Sequence, residues 1–335
     1  MKKRYNVAII GCGGMGEAHI QENYYKENIR FTYACDCDLE RAVMFQRKYG
    51  VDYITSDYKE CISDDKVDIV IIATRPKSHL DILRVCIQYH KHVLCEKPIS
   101  DTLEAGSTFL RLVKEHPEIK VLVGHILRHN KTYQRAAEMI QAGAIGKPVI
   151  FRMVQNHHTM NWERYLSMLQ EVSPLLDCGV HYADIIQWFT GAKVTDIHAT
   201  GVRSEKDVPA GNYNYGLVTM RMSDGSVGYY EAGYSNTLSA QNVKEFAGPK
   251  GRIRIIFAKD RQEHQEEGDL IEFYRYPEKE YEMINMRCSR KPTGEQFEYL
   301  LQMIENNLPP VPSMEEVKEA FDIMIQADTM IKHNL

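Results

Sequence analysis

Residues Tyr5–Gly16 read YNVAIIGCGGMG, and the organisation of the whole chain follows from that stretch. Tyr5 to Ile10 is a β-branched, apolar run of strand length that stops at a glycine. Gly11-Cys12-Gly13-Gly14-Met15-Gly16 then matches G-x-G-x-x-G. In such a turn Gly11 permits the tight reversal, Gly13 lacks the Cβ that would block a pyrophosphate, and Gly16 lets a following helix lie close to the strand. The N-terminus of that helix offers free N–H groups to an anion. Glycine-rich turns also arise for purely structural reasons, so the context decides. A second apolar run ends at Asp36, twenty residues after Gly16, where a carboxylate would accept hydrogen bonds from ribose hydroxyls. The same carboxylate repels a 2′-phosphate, and Cys37 rather than an arginine follows it. NAD is therefore expected in preference to NADP.

Working outward, the first ~125 residues alternate apolar runs with amphipathic segments. The runs are Tyr5–Ile10, Phe31–Cys35, Val67–Ala73, His92–Cys95 and Lys120–Val123, with helical stretches such as Leu39–Tyr49 and Lys77–Tyr89 between them. Alternation of this kind predicts a parallel sheet with helices on both faces, a Rossmann dinucleotide-binding domain over residues 1–124. From about residue 147 the texture changes to longer alternating runs: Pro148–Gln155, Val194–Val202, Tyr213–Met222, Val227–Tyr234 and Arg252–Ala258. One strongly helical segment, Pro174–Phe189, interrupts them, and two helices close the chain, the last capped by Ser313 with Glu316 three residues on. Residues 125–335 are thus expected to form an α+β domain on an open, mostly antiparallel sheet. Val218, Met220, Met222, Tyr229 and Tyr230 would remain to be buried there, which predicts a homodimer or homotetramer through that sheet.

Composition narrows the function classes. The chain has 335 residues, 44% of them hydrophobic and 26% charged, with 41 Lys and Arg against 46 Asp and Glu. A net charge of −5 leaves no basic excess to grip a phosphate backbone, so nucleic acid is not an expected partner. The basic N-terminus is followed by only four apolar residues, Val7 to Ile10, too few for a signal-peptide core or a membrane span. Eight cysteines without a C-x-x-C pair read as reduced, mostly buried thiols, and no metal site is expected from their spacing. The cytoplasm is the expected compartment.

Glu96-Lys97-Pro98 follows the fourth of those runs, and Asp177-x-Gly179-x-His181-x-x-Asp184 stands within PLLDCGVHYADIIQWFTG. Together with the glycine turn, these motifs resemble the Gfo/Idh/MocA oxidoreductases, which include glucose–fructose oxidoreductase and inositol dehydrogenases. Ala73-Thr74 followed by His79 resembles that family's A-T-P-N-x-x-H loop. Arg128 and Ala142–Gly146 resemble the stretch linking its two domains, so the likeness runs along essentially the whole chain. The loop departs from the pattern at Arg75 and Pro76, where many members carry Pro and Asn, so the asparagine's contact with the nicotinamide half is not carried over. His79 reads either as lining the cofactor channel or as a capping or packing histidine.

The resemblance implies a hydride transfer between a sugar, glycoside or cyclitol carbon and the nicotinamide. Lys97, at a strand end, would stand over that ring with its pKa depressed by desolvation and like charge, and would share the proton of the reacting hydroxyl. Ser173-Pro174 reads as the N-cap and first position of a helix, which puts Asp177 and His181 one turn apart on one face. His181 would take up the hydroxyl proton, and Asp177 would bind a second hydroxyl or orient the imidazole. The cofactor set is Gly11, Cys12, Gly13, Gly14, Met15, Gly16, Asp36, Thr74, Arg75, His79, Glu96 and Lys97. Arg128, together with His157 and Trp162 from the polar aromatic stretch Asn156–Tyr165, is the candidate substrate set. Two other readings stand beside this one: a glycoside-cleaving enzyme that oxidises its sugar transiently, and a non-catalytic NAD-sensing regulator.

Overall fold

Each apolar run of the first half becomes a strand because each is flanked by residues that stop or cap it. The computed structural model describes residues 3–158, 162–258, 268–288 and 291–335. Strands β1 (Tyr5–Ile10), β2 (Ile29–Cys35), β3 (Tyr53–Thr55), β4 (Ile69–Ile72), β5 (His92–Cys95) and β6 (Val121–Val123) form one sheet in the order β3-β2-β1-β4-β5-β6. All neighbouring pairs in it are parallel. β1 and β4 pair from Val7↔Ile69 to Ile10↔Ile72, and β4 is buried along its whole length, which explains its unbroken hydrophobicity. The order reverses direction between β1 and β4, and open α/β sheets bind ligands at the carboxyl ends of strands beside such a point.

Helices α1 (Gly14–Gln21), α2 (Leu39–Tyr49), α3 (Tyr58–Ser63), α4 (His79–Gln88) and α5 (Leu103–Glu115) connect these strands. Asp38 caps α2 by accepting from the Glu40 N–H, and Gly50 ends it at φ +70°. The three-residue β3 and the six-residue α3 are additions to the expected elements, each too short to register in a periodicity.

The chain forms two compact units. Residues 1–126 are joined by 291–318, and residues 127–290 by 319–335. The division at 124/125 therefore omits a return: helix α9 (Thr293–Asn306) belongs with the first unit. Its Phe297, Leu300, Leu301 and Met303 are buried in the same core as Val7, Ile9 and Ile71.

In the second unit an eight-stranded sheet has the order β14-β13-β12-β11-β7-β10-β9-β8. The strands are β7 (Ile150–His158), β8 (Val194–Val202), β9 (Tyr215–Met222), β10 (Val227–Ser235), β11 (Gln241–Gly248), β12 (Gly251–Ile256), β13 (Asp269–Arg275) and β14 (Glu280–Met286). β7 and β10 pair in parallel and every other neighbouring pair is antiparallel. The helices of this unit are α6 (Lys131–Gln141), α7 (Trp162–Leu169), α8 (Pro174–Thr190) and most of α10 (Met314–Lys332). α7 was not expected, because its residues read as part of a polar aromatic loop. The capping box of α10 forms, with Ser313 Oγ accepting from the Glu316 N–H and Glu316 Oε2 from the Ser313 N–H.

The apolar residues expected to await a partner subunit are mostly covered within the chain. Val218, Met220, Met222 and Tyr230 are buried within the chain itself, on the sheet face that α8 covers. Strand parity puts Tyr229 on the other face, among ion pairs such as Arg152–Glu245 (3.0 Å) and Arg252–Glu272 (3.2 Å). All eight cysteines are free, five of them buried. Among the described residues no helix is long and apolar enough to cross a membrane.

Candidate active site

In the first unit the glycine turn has the shape its sequence predicts. Gly11 has φ +96°, and a Cβ there would lie 2.4 Å from the Ala73 carbonyl oxygen. A Cβ on Gly16 would lie 2.0 Å from the Gly11 oxygen, so only glycine lets α1 start this close to the strand. Gly13 differs: a Cβ there would meet nothing within 4 Å. Neither packing nor φ demands a glycine at that position, and the space it leaves open lies at the N-terminus of α1, whose first N–H groups have no acceptor within the helix. The residues present thus fit a dinucleotide pyrophosphate.

Asp36 sits directly after β2, 8% exposed. Its Oδ2 accepts from the Cys12 N–H at 2.7 Å and its Oδ1 from the Asp38 N–H at 2.9 Å. The carboxylate is thereby fixed beside the turn. Cys12 is buried, and desolvation together with the Asp36 charge pushes its thiol pKa far up, so it is an inert packing group.

Thr74 and Arg75 follow β4 and are half-buried. His79 is completely buried, with Nε2 3.2 Å from the Thr74 carbonyl oxygen. Burial lowers its pKa and holds it neutral. His79 packs inside the unit and fastens the β4–α4 loop. Lys97 follows β5 and is half-buried. Glu96 is 4% exposed, with Oε1 2.7 Å from His19 Nε2 and Oε2 3.3 Å from the Lys97 N–H. Its carboxylate is thereby engaged inside the unit by His19 and the Lys97 N–H.

In the second unit Ser173 Oγ caps α8 by accepting from the Leu176 N–H at 3.2 Å, with Pro174 at the first position. Asp177 and His181 follow one turn apart, both half-buried. Between them, a Cβ on Gly179 would lie 2.5 Å from Met324 Sδ and 3.2 Å from the Tyr230 ring, so this glycine lets α8 seat on β10 and α10. Asp177 Oδ2 accepts from the Tyr234 hydroxyl at 2.6 Å. Burial, followed by the Asp177 charge, pushes the Tyr234 pKa well up, so this hydroxyl keeps its proton and donates. Around that bond, His157 lies 5.5 Å from the Tyr234 ring and 5.9 Å from the Tyr165 ring, centroid to centroid. Gln155 Nε2 reaches Cys178 Sγ at 3.4 Å, and Gln155 Oε1 accepts from the Tyr182 hydroxyl at 2.5 Å.

Two of the substrate candidates serve the scaffold. Arg128 is 6% exposed; its Nε and Nη2 bond both oxygens of Asp184 at 2.8 and 2.6 Å, and its guanidinium stacks 4.6 Å from the Trp188 ring. The indole N–H of Trp162 is taken by Asp207, and its ring packs with Leu169, Val208 and Tyr234. His157 remains beside Tyr234. Residues 159–161 of the aromatic stretch lie outside the described residues.

A family model described as an oxidoreductase family with an NAD-binding Rossmann fold matches residues 5–125, and one for the GFO/IDH/MocA C-terminal domain matches residues 133–254. The chain belongs to the Gfo/Idh/MocA oxidoreductases. Among its relatives, the myo-inositol 2-dehydrogenase of Thermotoga maritima is 25% identical over 322 residues, covering 94% of this chain and 92% of that one. A crystal structure of scyllo-inositol dehydrogenase from Lactobacillus casei with bound NAD(H) and scyllo-inositol superposes with a TM-score of 0.78 at 20% identity, covering 99% of this chain and 98% of that one. A 3-ketoreductase from Actinomadura kijaniata, in complex with TDP-benzene and NADP, superposes with a TM-score of 0.80 at 17% identity, covering 97% and 96%. At these identities the two superpositions establish the fold.

Within this Gfo/Idh/MocA chain, sequence reasoning missed His19, Gln155, Cys178 and Tyr234 as neighbours of the motif residues. His19 carried a readable signal, since it follows Gly16 by three positions and so lies a turn into α1. Tyr234 lies 57 residues from Asp177 and carried none. Among the described residues, no three His, Cys, Asp or Glu side chains are grouped to hold a metal ion.

Proposed function

We propose that this chain oxidises a hydroxyl of a polyol with NAD, with a cyclitol such as an inositol as the first substrate to try. The observation that carries the reading is the position of Lys97. It is a half-buried lysine at the carboxyl end of β5, in the same sheet and unit as a glycine turn whose middle residue leaves a Cβ-sized space open. NAD, when bound, supplies the hydride acceptor. Lys97 donates a hydrogen bond to the reacting hydroxyl oxygen and shares its proton. In the second unit His181 takes up that proton, and Asp177 accepts from a second substrate hydroxyl while Tyr234 holds its Oδ2. Thr74 and Arg75, at the carboxyl end of β4, would help to hold the coenzyme. Asp36 supports NAD over NADP, because a carboxylate held by two backbone donors cannot swing away from a 2′-phosphate. Eight free thiols support a reducing, cytoplasmic setting. The outward face of the large sheet, where Ile150, Val227, Tyr281 and Met283 stand exposed, supports a homo-oligomer.

A panel of inositols, sugars and glycosides with NAD and with NADP, followed by absorbance of the reduced coenzyme, tests the reading. A cyclitol with NAD is expected to give the highest turnover, and Lys97→Met to lower kcat about a thousandfold while NAD binding persists. Full activity in both Lys97→Met and His181→Ala, or no oxidation of any polyol, overturns it.

A further inference from the structure

Glu96 and His19 are buried together at the root of the Lys97 backbone. They keep 4% and 0% exposure and meet at 2.7 Å, and Glu96 Oε2 also accepts the Lys97 N–H at 3.3 Å. Room for the carboxylate comes from Gly124, where a Cβ would lie 2.9 Å from Glu96 Oε2 and 3.0 Å from its Cα. The helix carrying His19 is fixed from its other side, where Thr293 Oγ1 donates to the Ala18 carbonyl at 2.9 Å. His19 Nδ1 has no hydrogen-bond partner among the described residues, so the ring's polar commitment is its bond to Glu96. A carboxylate only accepts, so Nε2 carries the proton.

The electrostatics follow from that geometry. Burial pushes the Glu96 carboxyl upward, but the His19 hydrogen bond and charge, and then the Lys97 charge and N–H, outweigh it and hold the group below the ordinary carboxylate range. The other titratable neighbours are His79, from α4, and Cys95, on the strand itself. Burial keeps His79 neutral although Glu96 and Asp101 act the other way, and burial keeps the Cys95 thiol protonated. A full negative charge is thus left inside the unit within reach of the lysine, where screening is weak.

We propose that Glu96 and His19 form a buried positioning pair that ties Lys97 to the helix opening from the glycine turn and holds the proton on its amine. The proposal rests on the reading of Lys97 as the proton-sharing group. Beside an oxidised nicotinamide a lone ammonium is driven to lose its proton; the buried carboxylate opposes that loss, so the amine stays a donor through the working pH range. His19 keeps the carboxylate ionised and aimed. Neither residue touches the reacting atoms.

The test reads Lys97 directly. The full chain is labelled with acetic anhydride across pH 6–11, and acetylation at Lys97 is followed by mass spectrometry in wild type, Glu96→Gln, His19→Gln and His19→Leu. Glu96→Gln is expected to lower the midpoint by about one pH unit or more. His19→Gln, which still offers a donor to the carboxylate, should stay near wild type. His19→Leu strips that donor, lets Glu96 take up a proton and lowers the midpoint, so it stands in if Glu96→Gln does not fold. NAD binding, read by fluorescence, should change less than about threefold throughout, whereas kcat on an oxidised cyclitol falls about tenfold in Glu96→Gln and its pH profile moves with the labelling midpoint. An unchanged midpoint in a folded Glu96→Gln or His19→Leu protein overturns the proposal. Failure of the wild type to oxidise any polyol would instead sink the proposed activity and leave the labelling result standing.

Discussion

The two units build their functional groups in opposite ways. In the first, the backbone does the placing: the glycine turn, Asp36, Thr74 and Lys97 all sit at carboxyl ends of parallel strands, and the sheet order alone brings those ends side by side. In the second, Asp177 and His181 share one helix, but their surroundings are side chains gathered from distant strands, as with Tyr234 on β10 and Gln155 on β7. The first design depends most on the path of the backbone. The second is vulnerable to single side chains.

The largest expected break falls in the second unit. Arg128→Ala leaves Asp184, 2% exposed, without its two-point partner, and removing one member of a buried ion pair costs about 3–5 kcal/mol. Urea denaturation should show that loss, and a change under about 1 kcal/mol would mean the pair is not the scaffold described. Next comes Tyr234→Phe, which takes the donor from Asp177 Oδ2. A hydrogen bond to a charged group contributes about 1.5–3 kcal/mol, so kcat/KM for the polyol should fall about ten- to a hundredfold with NAD affinity unmoved. A drop in NAD affinity instead would erase the distinction between the units.

Gly13→Ala sharpens the contrast from the other side. Its Cβ meets no protein atom, so the thermal midpoint should hold within about 2 °C, while NAD affinity falls about tenfold or more because the methyl occupies space left for the pyrophosphate. Calorimetry and a binding titration separate the two effects. The smallest expected effect is that of His79. Its pKa is lowered by burial, so the folded state keeps it neutral, while the unfolded chain binds a proton near pH ~6.5. The stability it contributes is present above ~6.5 and is lost as pH falls below it. His79→Gln, which keeps a donor for the Thr74 oxygen, should flatten that part of the stability–pH curve, and an unchanged slope would show that His79 titrates as it would in water.

What could be read in advance follows the same division. The sheet of the first unit and its glycine turn were legible because each demand is local: a φ near +96° at Gly11, an approach of 2.0 Å at Gly16, a strand buried on both faces. Helix α8 was legible from Ser173-Pro174 and its apolar spacing. The burial of Met220 and Tyr230 was not, since an alternating strand states that one face is covered but not whether a helix of the same chain covers it. Arg128 looked available for a ligand for a related reason. An arginine's partner 56 residues away leaves no mark on the local pattern. His79 and Glu96 matched motif positions, yet position says where a residue stands and only packing says whether it meets solvent.

The path of the chain also limits how the molecule can be taken apart. Because α9 returns to the first sheet after residue 290, a fragment ending at Ile126 would lack Phe297, Leu300, Leu301 and Met303 and would expose the wall they cover. The nucleotide-binding half is therefore not a detachable cassette. A gene fusion or recombination event that moved it to another partner would have to carry two separate segments of coding sequence, with everything between them behaving as an insert.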